Sequence, residues 1–124
     1  MRKTVPTQSP GDTVAAQPML AAAAADILKA VAHPLRLRIV AILANGDAHV
    51  GALAERLGAS QPVVSQRLRI LRMYGLVRDR REDGRSVYRL AKPQLRKLLA
   101  CVEGCLGAQL GLDAPTRRAG GMAR

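Results

Sequence analysis

Residues 58 to 77, GASQPVVSQRLRILRMYGLV, carry enough punctuation to fix one helix of one length. Ser60 is placed to cap it, because a serine oxygen accepts from a backbone N–H that the first turn leaves without a partner. Pro62 follows in the first turn, where a missing N–H costs nothing. Val64, Leu68 and Leu71 fall at i, i+4 and i+7, a stripe that must be buried against something. Gly75 ends the run, since a residue without a Cβ readily takes the left-handed conformation that closes a helix. The opposite face carries Gln61, Val63, Ser65, Gln66 and Arg69.

The flanking segments narrow the fold further. DAHVGALAERLGAS reads as a shorter helix with Val50, Leu53, Ala54 and Leu57 inward, Asp47 as its expected N-cap and Gly58 as its stop. Two short helices joined through LGAS have the pattern of a helix-turn-helix, in which a glycine-containing turn sets the second helix across the first. After them, LVRDRREDGRSVYRL reads as two strands joined at Asp83-Gly84, with Arg78, Arg80, Arg81 and Arg85 around the tip. Such a basic wing suits the backbone or the minor groove of a duplex.

Upstream, MLAAAAADILKAVA spaces Leu20, Ala24, Ile27, Leu28 and Val31 as a helical stripe. HPLRLRIVAILANG gives a second helix, opened by Pro34, buried through Leu35, Ile39, Ile42 and Leu43, and ended at Asn45-Gly46. Pro93 opens a last helix, PQLRKLLACVEGCLGAQL. Four helices, a hairpin and one more helix make a mainly α chain with a small β-hairpin, the winged helix-turn-helix order. Residues 1–18, rich in Pro, Ser, Thr and Gly, are expected as a disordered tail. Residues 19–110 are expected to form one winged helix-turn-helix domain, and 111–124 a flexible tail.

Composition agrees with packed helices. The chain has 124 residues, enough for one domain, and is 48% hydrophobic but only 2% aromatic, with no Trp or Phe. Its core must therefore come from Leu, Val, Ile and Ala, and it lacks the aromatic faces on which single-strand and RNA readers stack bases. The net charge of +11 attracts polyanions. The charge is clustered: from Arg67 to Arg89 there are eight Arg against Asp79, Glu82 and Asp83. On the exposed face of the 61–73 region, Gln can pair bidentately with adenine, Arg with guanine, and a Val methyl can meet a thymine methyl. Double-stranded DNA is the expected partner. No stretch has transmembrane length and MRKTVPTQSPGD has no apolar segment behind its basic residues, so no membrane partner and a cytoplasmic location are expected.

These segments together resemble the ArsR/SmtB-type winged-helix repressors. The resemblance covers roughly residues 22 to 108, through HPLRL at 33–37, SQPVVSQRL at 60–68, GLV at 75–77 and GRSVYRL at 84–90. It implies a homodimer joined through the first and last helices, bound to a palindromic operator and released by a small inducer. It places Gln61, Val63, Ser65 and Gln66 at base-reading positions and Arg80, Arg81 and Arg85 on the wing. Where many members have His in SxHL, this chain has Gln66-Arg67 before Leu68, which points to a different operator sequence.

Cys101 and Cys105 are the only thiols, four apart and so on one face of the last helix, beside Leu95, Leu98, Leu99, Val102 and Leu106. Thiolates so spaced can take a thiophilic metal or metalloid ion, or form a reversible disulfide or polysulfide within or between chains. The alternative is that both are small hydrophobes packed in a helix interface. Gly104 between them hints at a close backbone approach or a local kink. Family comparison leaves the inducer open. Arsenic-type members carry a cysteine cluster where this chain has AHVGALAERL, and persulfide-sensing members pair a cysteine of the second helix, absent here, with one of the last. Zinc-class sites on the last helix use His and carboxylates, of which this one has Glu103. His33 reads as structural and His49 as a capping or surface residue.

The leading expectation is a repressor switched by thiol chemistry at Cys101 and Cys105. A regulator without a sensor and a sequence-indifferent architectural protein are the alternatives. An enzyme is not expected, because no phosphate loop, carboxylate pair or CxxC at a helix start is present.

Overall fold

The computed structural model describes residues 9–111. Its elements are α1 (Asp12–Ala16), α2 (Pro18–Val31), α3 (Pro34–Leu43), β1 (Ala48–His49), α4 (Val50–Leu57), α5 (Gln61–Met73), β2 (Val77–Glu82), β3 (Arg85–Leu90) and α6 (Leu95–Leu110). The mainly helical chain with a basic hairpin is as expected, with two additions. A short helix, α1, lies within the stretch expected as a tail. Asp12 starts it by accepting from the Ser9 N–H at 2.8 Å, and Gln17 in an extended conformation separates it from α2. Residues 1–8 and 112–124, the rest of the two expected tails, lie outside the described residues.

The second addition is β1. Ala48 and His49 pair antiparallel with Tyr88 and Val87, so the hairpin becomes a three-stranded sheet in the order β1-β3-β2. Two residues carry no period of their own, and their partners lie far along the chain. That pairing also displaces the expected cap: Asp47 is not the N-cap of α4. His49 is, its Nδ1 accepting from the Ala52 N–H at 3.2 Å. His33 does the same for α3, accepting from Leu35 N–H at 3.2 Å.

The core sits where α3, α4 and α5 meet the sheet. Ile39, Leu43, Leu53, Leu68, Leu71 and Leu76 are fully buried there, with Val40, Val64 and Val77. The turn chemistry holds as read. Ser60 Oγ accepts from the Val63 N–H at 3.4 Å, and Asp83 and Gly84 both have positive φ, 51° and 77°, the type I′ turn that matches the twist of a hairpin.

Two stripes are left uncovered. On α2 only Ala30 and Val31 are buried, while Met19, Leu20 and Leu28 stand in the open. On α6, Leu95 is buried and Leu98 and Leu99 pack against the core, but Val102, Leu106 and Leu110 are exposed, Leu110 by 61%. A Cβ at Gly104 would meet nothing within 4 Å among the described residues, so the close backbone approach expected there is not made by any of them.

Candidate nucleic-acid interface

Helix α5 turns Val64, Leu68 and Leu71 inward, which leaves Gln61, Val63, Gln66 and Arg69 exposed and Ser65 half-buried. Arg67 is half-buried and its Nε lacks a hydrogen-bond partner, so it stands apart from the exposed row. Pro62 and the Ser60 cap leave the first turn of α5 at the edge of a cleft of about 270 Å³ facing the wing. His49, Gln61, Ser65, Arg81, Arg85 and Ser86 line it. Of the sequence-predicted residues, Gln61, Ser65, Arg81 and Arg85 therefore meet in this cleft, while Ser60, Val63, Gln66, Arg69 and Arg80 are not on its walls.

The wing is not a loose arm. Arg72, in the last turn of α5, pairs with Asp79 of β2 at 3.0 Å. Arg80 pairs with Asp47 at 2.9 Å and with Glu82 at 3.5 Å. The hydrogen bond to Asp47, helped by the charge of Glu82, raises the pKa of Arg80 above the ordinary guanidinium value. Arg81 donates to the Gly84 carbonyl at 2.9 Å and to Ser86 Oγ at 3.4 Å, which stiffens the tip. Arg85 reaches His49 Nε2 at 3.2 Å.

These contacts divide the arginines. Arg80 already has two carboxylates against it, so part of its charge is offset before any polyanion arrives. Among the described residues Arg69, Arg78, Arg81, Arg85 and Arg89 have no carboxylate within ion-pair distance. Such charges are the ones that displace counterions from a phosphate backbone. Sequence reasoning missed Asp47, His49, Arg72 and Ser86 as parts of this surface. Their only signal is the strand register, which local patterning does not contain.

Cys101 and Cys105 are free and exposed on α6, away from this cleft. Among the described residues no three His, Cys, Asp or Glu side chains are grouped as a metal site. The α6 end instead borders α3, where Arg96 Nε donates to the Ala44 carbonyl at 2.7 Å and so caps the last turn of α3. No helix among the described residues is long and apolar enough to cross a membrane.

A helix-turn-helix with an arginine-rich hairpin folded against its second helix defines a winged helix-turn-helix protein, a DNA-binding class. The chain belongs to the bacterial arsR family of regulatory proteins, whose model matches residues 33–79. It is 35% identical over 98 residues to the HTH-type transcriptional regulator KmtR of Mycobacterium tuberculosis, covering 78% of this chain and 75% of that protein. It is 39% identical over 75 residues to the biofilm growth-associated repressor of Xylella fastidiosa, over 60% of this chain and 66% of the repressor, slightly less than two thirds of its length. It is also similar to the homodimeric winged helix-turn-helix DNA-binding domain of a possible ArsR-family regulator from Mycobacterium bovis. The TM-score is 0.67 at 33% identity, covering 83% of this chain and 91% of that one. The family is one of transcriptional regulators, not a class of enzymes.

Proposed function

We propose that this protein is a transcriptional repressor that binds a palindromic operator as a homodimer and leaves it when a thiol-reactive inducer acts at Cys101 and Cys105. The observation that carries the reading is the single surface formed by the exposed edge of α5 and the basic wing. On it, Gln61, Val63, Ser65, Gln66 and Arg69 meet base edges in the major groove, and Arg80, Arg81 and Arg85 lie along the backbone. The uncovered stripes of α2 and α6 support the homodimer, since two copies placed back to back cover both. A twofold dimer then sets two α5 helices about one helical turn of DNA apart.

The thiols lie on α6, the same helix that offers the dimer stripe. A bond formed there changes how the two copies meet and so the spacing of their α5 helices. A coupling of about 1–3 kcal/mol is enough to shift operator affinity severalfold or more. Among the described residues each chain supplies two thiolates and no grouped third ligand, so a metal or metalloid ion held by these residues draws its remaining ligands from the partner's pair or from solvent. That shortage favours a second reading, in which the protein regulates without a sensor and the cysteines pack in the seam.

The test begins by selecting duplexes from a random pool with the reduced full-length protein. The selected complex is then exposed to Zn(II), Cd(II), As(III), a persulfide donor and an oxidant, beside the Cys101→Ser/Cys105→Ser double variant. Release of the wild type by one agent, with the variant spared, is the expected result. Equal responses would hand the case to the second reading, and no duplex preference at all would remove both.

A further inference from the structure

One side chain in the cleft between α5 and the wing faces two demands it cannot meet together. His49 Nδ1 accepts from the Ala52 N–H at 3.2 Å, which caps α4. Nε2 of the same ring lies 3.2 Å from Arg85 Nη1, and a guanidinium can only donate. A neutral imidazole has one donor nitrogen and one acceptor nitrogen. With Nδ1 serving Ala52, the proton is on Nε2, and two donors face each other with no acceptor between them. The other tautomer serves Arg85 but turns Nδ1–H against the Ala52 N–H. Protonating the ring makes both ends donors. The other charged groups on this side of the sheet do not resolve it: Asp47 and Glu82 are both engaged by Arg80, and Arg81 across the cleft is another donor.

An oxygen acceptor seated between Nε2 and Arg85 does resolve it, taking one hydrogen bond from each while Nδ1 keeps the cap. The cleft has space and donors for the rest of such a group, with Ser65, Ser86 and Arg81 on its walls. Gly51 keeps that space open. A Cβ there would come within 3.3 Å of Cε1 and Nδ1 of His49 and 3.6 Å of Gln61 Nε2. The cleft also lies on the surface that faces DNA in the reading above, where the acceptor at hand is a phosphate.

From this geometry we infer that His49 is a DNA-backbone contact, its Nε2–H and Arg85 gripping one non-bridging phosphate oxygen at the mouth of the cleft. The inference rests on the DNA-binding reading and adds to the capping role of His49. The residue links the start of the helix-turn-helix to the wing, and bound phosphate closes that link.

The full-length wild type, His49→Asn, His49→Ser, Arg85→Ala and the His49→Asn/Arg85→Ala double variant are titrated with the selected duplex over a salt series. Asn and Ser both retain an oxygen that caps α4 but put nothing where Nε2 stands. Two capping variants guard against one of them failing to fold. Each weakens binding about tenfold with an unchanged salt slope, because a neutral ring contributes a hydrogen bond to a charged group but displaces no counterion. Arg85→Ala lowers the slope by about one. The double variant loses less than the product of the single losses, since both groups hold the same oxygen. A methylphosphonate placed at successive backbone positions marks one position that weakens the wild type most, His49→Asn less, and the double variant not at all. If both capping variants bind as tightly as the wild type, or if the double loss equals the full product, this inference is wrong while the DNA-binding reading stands. If the wild type selects no duplex, both are wrong.

Discussion

His49 shows how little of a residue's role follows from its neighbours in sequence. Asp47 is the stronger N-cap by residue type, yet it turns to Arg80 at 2.9 Å and leaves the cap to a ring nitrogen. The two positions therefore respond differently to truncation. His49→Ala loses a helix cap and should lower stability by about 1 kcal/mol. Asp47→Ala removes only an exposed ion pair and should stay within about 0.5 kcal/mol of wild type. Chemical denaturation of both variants, compared at equal slope, checks the order; the reverse order would restore Asp47 as the cap. Ser60→Ala belongs with the first variant, at about 1 kcal/mol, because Ser60 Oγ accepts from the Val63 N–H.

At the scale of elements, α5 is held from two sides, by its buried stripe and by the Arg72–Asp79 pair to β2. The magnitudes are unequal. Leu68 is fully buried, so Leu68→Ala removes core contacts and leaves a cavity costing about 2–5 kcal/mol. Asp79→Asn breaks an exposed pair and should move stability by less than about 1 kcal/mol. Its effect on DNA has the opposite sign. Freed from its carboxylate, Arg72 adds to the basic field, and affinity for an unselected duplex rises with a steeper salt dependence. A filter-binding series on Asp79→Asn and Glu82→Gln measures this; weaker binding by both would mean that the ion pairs orient the wing more than they damp its charge. The same scale shows what was legible beforehand. Ser60, Pro62, Gly75 and the i, i+4, i+7 stripe bound α5 by local chemistry, and Asp83-Gly84 set the hairpin turn. β1 was not legible, because Ala48 and His49 become a strand only through Tyr88 and Val87.

For the whole molecule, the open question lies on α2 and α6. Leu28 is 52% exposed and Leu106 46% exposed, each within a bare stripe that includes Met19 and Leu20 on α2 and Val102 and Leu110 on α6. A soluble chain seldom leaves such stripes bare unless something covers them. With a second copy as the cover, Leu28→Glu and Leu106→Glu each place a charge in the seam. Sedimentation should then show monomers with unchanged helix content, and binding to the selected duplex should fall steeply, because one half-site alone remains engaged. Dimers persisting in both variants would place the interface elsewhere. Leu28 and Leu106 were part of apolar stripes in the sequence, but only the packing of one chain shows that the core leaves them out.

The amino-acid sequence by itself determined the helix-turn-helix and the hairpin, because caps, turn residues and hydrophobic period act over a few residues and need no distant partner. It also determined the sign of the surface, since sixteen Arg and four Lys against nine acids leave a large excess wherever the chain folds. Tertiary structure alone decided which arginines are free and which are paired. It brought Asp47 to Arg80 and His49 to Arg85 across a strand register that joins the start of α4 to the wing. Those meetings depend on pairing between segments far apart in the chain, where loop closure and shared burial, not local propensity, choose the partners.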